Sequence, residues 1–110
     1  MDGGVDVIMD EGRATAVLSG EFDMKATFNV EPRFEDLLEE PALEALNIDL
    51  SGLEFIDSTG IGVLMRVADE TRRREVDLEI VPGPREVHRV FEVAGLADAL
   101  PFADPEPPAA

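Results

Sequence analysis

The stretch Leu46–Leu64, LNIDLSGLEFIDSTGIGVL, restricts the possible folds more than any other part of the chain. Ile48, Asp49 and Leu50 alternate as a short strand does, Ser51 and Gly52 read as a turn, and Leu53–Ile56 form a second apolar patch. Asp57-Ser58-Thr59-Gly60 then leads into a segment whose apolar residues recur at helical spacing. A strand, a polar turn and a helix start set Ser58 beside backbone N–H groups that lack partners inside the helix. The partial positive charge at that end suits a phosphate group. Asp and Ser also open helices simply by capping them, which is the commoner use of both. The pattern alone leaves both readings open.

A chain of 110 residues with 45% apolar content is expected to form one domain around one core. The formal charge of −16 argues against nucleic acid as a partner, because its phosphates would be repelled. With 5% aromatic residues and neither Trp nor Tyr, stacking platforms for bases are poorly supplied as well. A basic protein surface fits this charge better. The absence of cysteine excludes disulfides, thiol chemistry and cysteine zinc sites, and one histidine cannot build a multi-histidine metal site. No metal or cofactor is therefore expected. Met1-Asp2-Gly3-Gly4 lacks the positive segment and apolar run of a secretory signal. No run approaches the roughly 20 apolar residues that span a bilayer. The expectation is a soluble, cytoplasmic protein with no membrane contact.

Taken in order, Val5, Val7 and Met9 predict an edge strand, and Asp10-Glu11-Gly12 a turn. Arg13–Ser19 predicts a second strand that Gly20 ends, with Glu21-Phe22-Asp23 leading into a polar loop. Met24–Val30 shows no clear pattern. Pro32 is read as a helix start, because its missing N–H costs nothing in a first turn, and Phe34, Leu37 and Leu38 place a helix at about Pro32–Glu39. Strand residues follow at about Leu46–Leu50.

In the helix after Gly60, residues Ile61, Leu64, Met65, Val67, Ala68 and Thr71 form one wide face, with Gly62, Arg66, Asp69 and Arg73 opposite. Val63 falls at the border, placed either to cover the edge of the core or to meet a partner. Arg72, Arg73 and Arg74 read as complements to the negative helix end rather than as a binding site. Val76, Leu78 and Ile80 predict a fourth strand, and Pro84 opens a last helix with Val87, Val90, Phe91 and Ala94 inside and Gly95 as its stop. His88 lies off that face and is expected to be solvated. Leu96–Phe102 reads as a short packing segment, and 103–110 as a disordered tail. The order β-β-α-β-α-β-α implies an α/β fold, a mixed sheet of four or five strands with helices packed over it.

Leu18-Ser19-Gly20-Glu21-Phe22-Asp23, Ile48–Leu53 and Phe55–Gly62 resemble the STAS family, and more narrowly its bacterial anti-sigma factor antagonists. Val81-Pro82-Gly83 and Phe91–Leu96 are similar to that family's second half, so the resemblance covers about residues 5–102 and assigns 1–102 to one STAS domain. It implies a protein with no enzymatic activity and no cofactor of its own. Such a protein binds an anti-sigma factor that is also a serine kinase, and so frees the sigma factor. It further implies that Ser58 is the phosphorylated serine, with Asp23, Asp57, Thr59 and Gly60 beside it. Asp23, Asp57, Ser58, Gly62, Val63 and Arg66 are the implied partner contacts, and a serine phosphatase acts on the phosphorylated form. Between Asp23 and Pro32 the chain is longer than the family pattern, in a region that lies near the site in family members. Partner choice is open to change there.

Three other readings compete. A STAS-type scaffold or transport-associated binding module would keep the fold without a phosphorylation switch. An acyl carrier protein would also be small, acidic and cysteine-free with an Asp-Ser pair opening a helix, but the alternating runs at Arg13–Ser19 and Val76–Ile80 oppose an all-helical fold. An enzyme built on Asp23, Asp57 and Ser58 lacks a histidine or lysine that can be placed beside Ser58 as a base.

Overall fold

A computed structural model describes residues 2–103. Its strands are β1 (Gly4–Asp10), β2 (Arg13–Phe22), β3 (Ala45–Ile56) and β4 (Asp77–Val81), and its helices α1 (Met24–Leu38), α2 (Ser58–Arg73) and α3 (Arg85–Val93). The strands form one mixed sheet in the order β1-β2-β3-β4, as the alternation of patterns predicts. β1 and β2 are an antiparallel hairpin, whereas β2–β3 and β3–β4 are parallel and each need a helix to cross over. A single bridge between Ile80 and Phe102 adds a trace of a fifth strand beyond β4. The expected tail lies, from residue 104 onward, outside the described residues; Ala103 donates its N–H to the Ile80 carbonyl.

The core is one layer. Ala14, Ala16 and Leu18 of β2, Leu46, Ile48 and Leu50 of β3, and Ile80 of β4 are buried on the same side of the sheet. They meet Val30 and Phe34 of α1, Leu64 and Val67 of α2, and Phe91 of α3 in one cluster. Burying a side chain of this size contributes roughly 1.5–3 kcal/mol, which is why the period of the pattern decides the fold.

Three expectations are corrected. First, Ser51-Gly52 is not a turn between two elements, since β3 runs unbroken from Ala45 to Ile56. Pairing with β2 shifts by one residue between Val17 and Ser19 and again between Gly20 and Glu21. Each shift is a bulge on β3 that changes the burial spacing from two to three, so Leu50, Leu53 and Ile56 all face the core. The lost alternation imitates a turn. Likewise β2 does not stop at Gly20 but continues to Phe22 through the same irregularity.

Second, Met24–Val30 is the first half of α1 rather than a loop, and Pro32 sits inside the helix rather than at its start. Asp23 caps it, its Oδ1 accepting the Ala26 N–H at 3.0 Å. Ala26, Val30, Phe34 and Leu37 form the buried stripe, while Pro32 is exposed. The ring therefore points away from the core, at the cost of one backbone bond to Phe28. Third, His88 is half-buried rather than solvated, with its ring edge-on to Phe102 at 4.8 Å.

α3 ends as expected at Gly95, whose φ of +75° allows the Leu96 N–H to bond the Phe91 carbonyl and its own N–H to bond Glu92. α2 ends the same way at Glu75, a residue with φ of +57° and no such freedom.

Candidate functional site

Two short sequences, Glu21-Phe22-Asp23 and Phe55-Ile56-Asp57, repeat one instruction: a strand that ends on a buried side chain, followed by an aspartate. Phe22 and Ile56 are register partners in the parallel pair β2–β3. Each aspartate then caps a helix with nearly the same backbone, φ −107° and ψ −174° at Asp23, φ −115° and ψ −176° at Asp57. The N-termini of α1 and α2 therefore emerge side by side from one end of the sheet.

The Asp57 N–H donates to the Phe22 carbonyl at 3.2 Å, continuing the ladder into the helix starts. Its carboxylate Oδ1 accepts the Thr59 N–H at 3.0 Å, the Gly60 N–H at 3.1 Å and the Thr59 hydroxyl at 2.5 Å. Burial pushes the Asp57 pKa up. Hydrogen bonds from the Thr59 hydroxyl and the Gly60, Thr59 and Met24 backbone N–H groups outweigh that effect and hold the carboxyl below its ordinary range. Gly60 completes the packing, because a Cβ there would stand 2.6 Å from the Phe22 carbonyl oxygen.

Ser58 is the first residue of α2 and is exposed. The neighbouring Thr59 is half-buried with its hydroxyl held by Asp57. Of the two adjacent hydroxyls, the one at Ser58 faces solvent at the positive end of a helix. Gly62 is half-buried, with Arg66 Nη1 3.4 Å from where a Cβ would sit. Arg66 is exposed and reaches across to α1, its Nη2 and Nε lying 2.6 and 2.8 Å from Glu31 Oε2. Val63, implied as a partner contact, is 1% exposed and belongs to the core edge. α1 and α2 together shut it in, which the α2 pattern by itself did not show.

The structure thus gathers Asp23, Asp57, Ser58, Thr59 and Gly60 at one end of the sheet. It places Gly62 and Arg66 along the adjoining α2 surface and removes Val63 from contact. Sequence reasoning missed Glu31 as the partner of Arg66. No local signal marks that pair, because the two residues lie on different helices. Among the described residues no cluster of three or more His, Cys, Asp or Glu side chains could hold a metal ion, and no helix is long and apolar enough to cross a membrane.

A family model described as STAS domain matches residues 10–107. The anti-sigma-F factor antagonist RsfA of Mycobacterium tuberculosis is 38% identical over 60 residues, 54% of this chain and 47% of that protein. That match thus takes in about half the length of the relative. The anti-sigma F factor antagonist of Paenibacillus polymyxa is 26% identical over 89 residues, 81% of this chain and 76% of that protein. Among solved structures, an anti-sigma factor antagonist from Mycobacterium paratuberculosis superposes with a TM-score of 0.82 at 25% identity. The superposition covers 96% of this chain and 88% of the other.

Proposed function

This chain belongs to the STAS domain family, and from that premise we propose that it is an anti-sigma factor antagonist whose binding is switched off by phosphorylation of Ser58. In this reading it acts in the cytoplasm as a binding protein without catalytic residues. It captures an anti-sigma factor that is a serine kinase and so releases the sigma factor. The kinase supplies ATP and magnesium, and a serine phosphatase restores the binding form. The similarity to proteins named anti-sigma factor antagonists supports the role. The observation that carries the switch is the exposure of Ser58 at the first position of α2, beside a Thr59 hydroxyl already committed to Asp57.

The physical logic follows from charge. A phosphate on Ser58 adds about −1.5 to −2 charges at neutral pH. The N-terminus of α2 stabilises that charge, so the fold need not change. Asp23 and Asp57 add like charge at the same end of the sheet. A partner surface fitted to a neutral hydroxyl, and touching Asp23, Asp57, Ser58, Gly62 and Arg66, then meets a bulky anion. A loss of ~3 kcal/mol weakens such a complex more than a hundredfold.

The test is titration of the wild type, Ser58→Ala and Ser58→Asp against the cognate kinase, with intact mass after incubation with that kinase and ATP. Tight binding by Ser58→Ala, loss by Ser58→Asp, and one phosphate on the wild type alone are the expected results. Equal affinity of the two variants would overturn the switch.

A further inference from the structure

Two apolar side chains of α1 stand outside the core: Phe28 is 75% exposed and Met24 59%. They are one turn apart, and the same helical stripe continues through Glu31 and Glu35. From Glu31 onward this stripe is one wall of a groove between α1 and α2 with a volume of about 550 Å³. Phe34 and Leu38 from α1 and Val63 and Val67 from α2 form its floor. These four are almost completely covered. The floor therefore gives the groove its shape, while the apolar area open to a partner lies chiefly on Phe28 and Met24.

The rim decides the kind of partner. Four carboxylates, Glu31, Glu35, Glu39 and Glu70, stand against two guanidinium groups, Arg66 and Arg74. Glu31 is engaged by Arg66 and Glu70 by Arg73, while Arg74 donates to the Glu40 carbonyl and leaves one positive charge facing the exposed Glu35 and Glu39. On a chain of formal charge −16 this rim repels acidic proteins and anionic lipid surfaces alike. A helix with an apolar stripe and flanking Lys or Arg has the complementary pattern. The run from Met24 to Glu39 spans about 22 Å at 1.5 Å per residue, the length of a four-turn helix.

We propose that Met24 and Phe28 on α1, together with the rim of the groove that begins beyond the Glu31–Arg66 pair, dock a basic amphipathic helix of a partner protein. The groove adjoins the surface around Ser58 and shares Arg66 with it, but docking there does not require modification of Ser58.

The probe is a synthetic helical peptide of about four turns made of Leu and Lys, with Leu on one face. The control has the same composition with Leu scattered. Each is titrated into the isotope-labelled full chain and followed by amide chemical shifts. The patterned peptide is expected to shift residues of α1 and α2 and to bind about tenfold tighter than the control. Phe28→Ser and the pair Glu35→Lys with Glu39→Lys should each weaken it about tenfold. Ile8→Ser, which alters an exposed side chain on β1, should leave it unchanged. Because Phe28, Glu35 and Glu39 are exposed, these variants are expected to fold, as thermal melts will verify. Equal binding of both peptides, shifts spread over the whole acidic surface, or wild-type affinity of the groove variants would each overturn the proposal. Sedimentation of the chain alone tests a second occupant: a dimer that Phe28→Ser dissolves would assign the face to another copy and overturn it too.

Discussion

The backbone N–H of Asp57 donates to the carbonyl of Phe22 at 3.2 Å, and this bond fixes the start of α2 against the start of α1. Because Phe22 precedes the Asp23 cap, a displacement of one helix start must be felt at the other. Ser58 is thereby presented from a rigid corner rather than a loop.

Replacing Ser58 with Asp should leave the domain folded. The new carboxylate enters the first turn of α2, where negative charge is worth about 0.3–1 kcal/mol in the favourable direction. The melting temperature should equal or exceed that of the wild type while kinase binding is lost. A fall of several degrees would mean that the block acts through unfolding.

Asp57→Asn retains a capping oxygen but removes the titrating group. The wild-type carboxyl is held below its ordinary value by Thr59, Gly60 and Met24 despite the opposing effect of burial. A depressed folded-state pKa stabilises the fold above the unfolded value, near 4, and the contribution disappears as pH falls through the folded value. Urea unfolding should therefore show the wild type losing stability relative to Asp57→Asn as pH drops below about 4. A difference that stays constant down to the lowest accessible pH would contradict the assignment.

Gly60→Ala places a methyl group 2.6 Å from the Phe22 oxygen, and a backbone atom cannot rotate out of the way. The helix start must move, and the expected loss is about 1–3 kcal/mol in denaturant unfolding. Partner affinity should fall as well, although Ser58 itself is untouched.

Glu75 holds φ of +57° at the end of α2, where its N–H bonds Arg72 and the following Val76 N–H bonds Thr71. Glycine adopts this conformation without the Cβ penalty, so Glu75→Gly should raise stability by roughly 0.5–1 kcal/mol after its own entropy cost. Chemical denaturation measures it directly.

Much of this architecture can be read from local chemistry. Alternation in Arg13–Ser19 and at Leu46, Ile48 and Leu50, the helical spacing of Ile61–Thr71 and the stop at Gly95 depend on neighbours within a few residues. So does a serine directly after a capping aspartate. These determined the element order, the fold class and the position of Ser58 at a helix start. Tertiary structure decided the rest. β3 keeps its pairing with β2 through two bulges because Leu53 and Ile56 gain burial by facing the core, which period-two reading cannot anticipate. α1 extends back to Met24 because Asp23 caps it and Ala26 and Val30 find cover, a gain that outweighs the bond lost at Pro32. Val63 is closed in only when α1 lies against α2, and the Asp57 N–H meets the Phe22 carbonyl only because two parallel strands end level. Contacts between elements distant in sequence leave no period in either one.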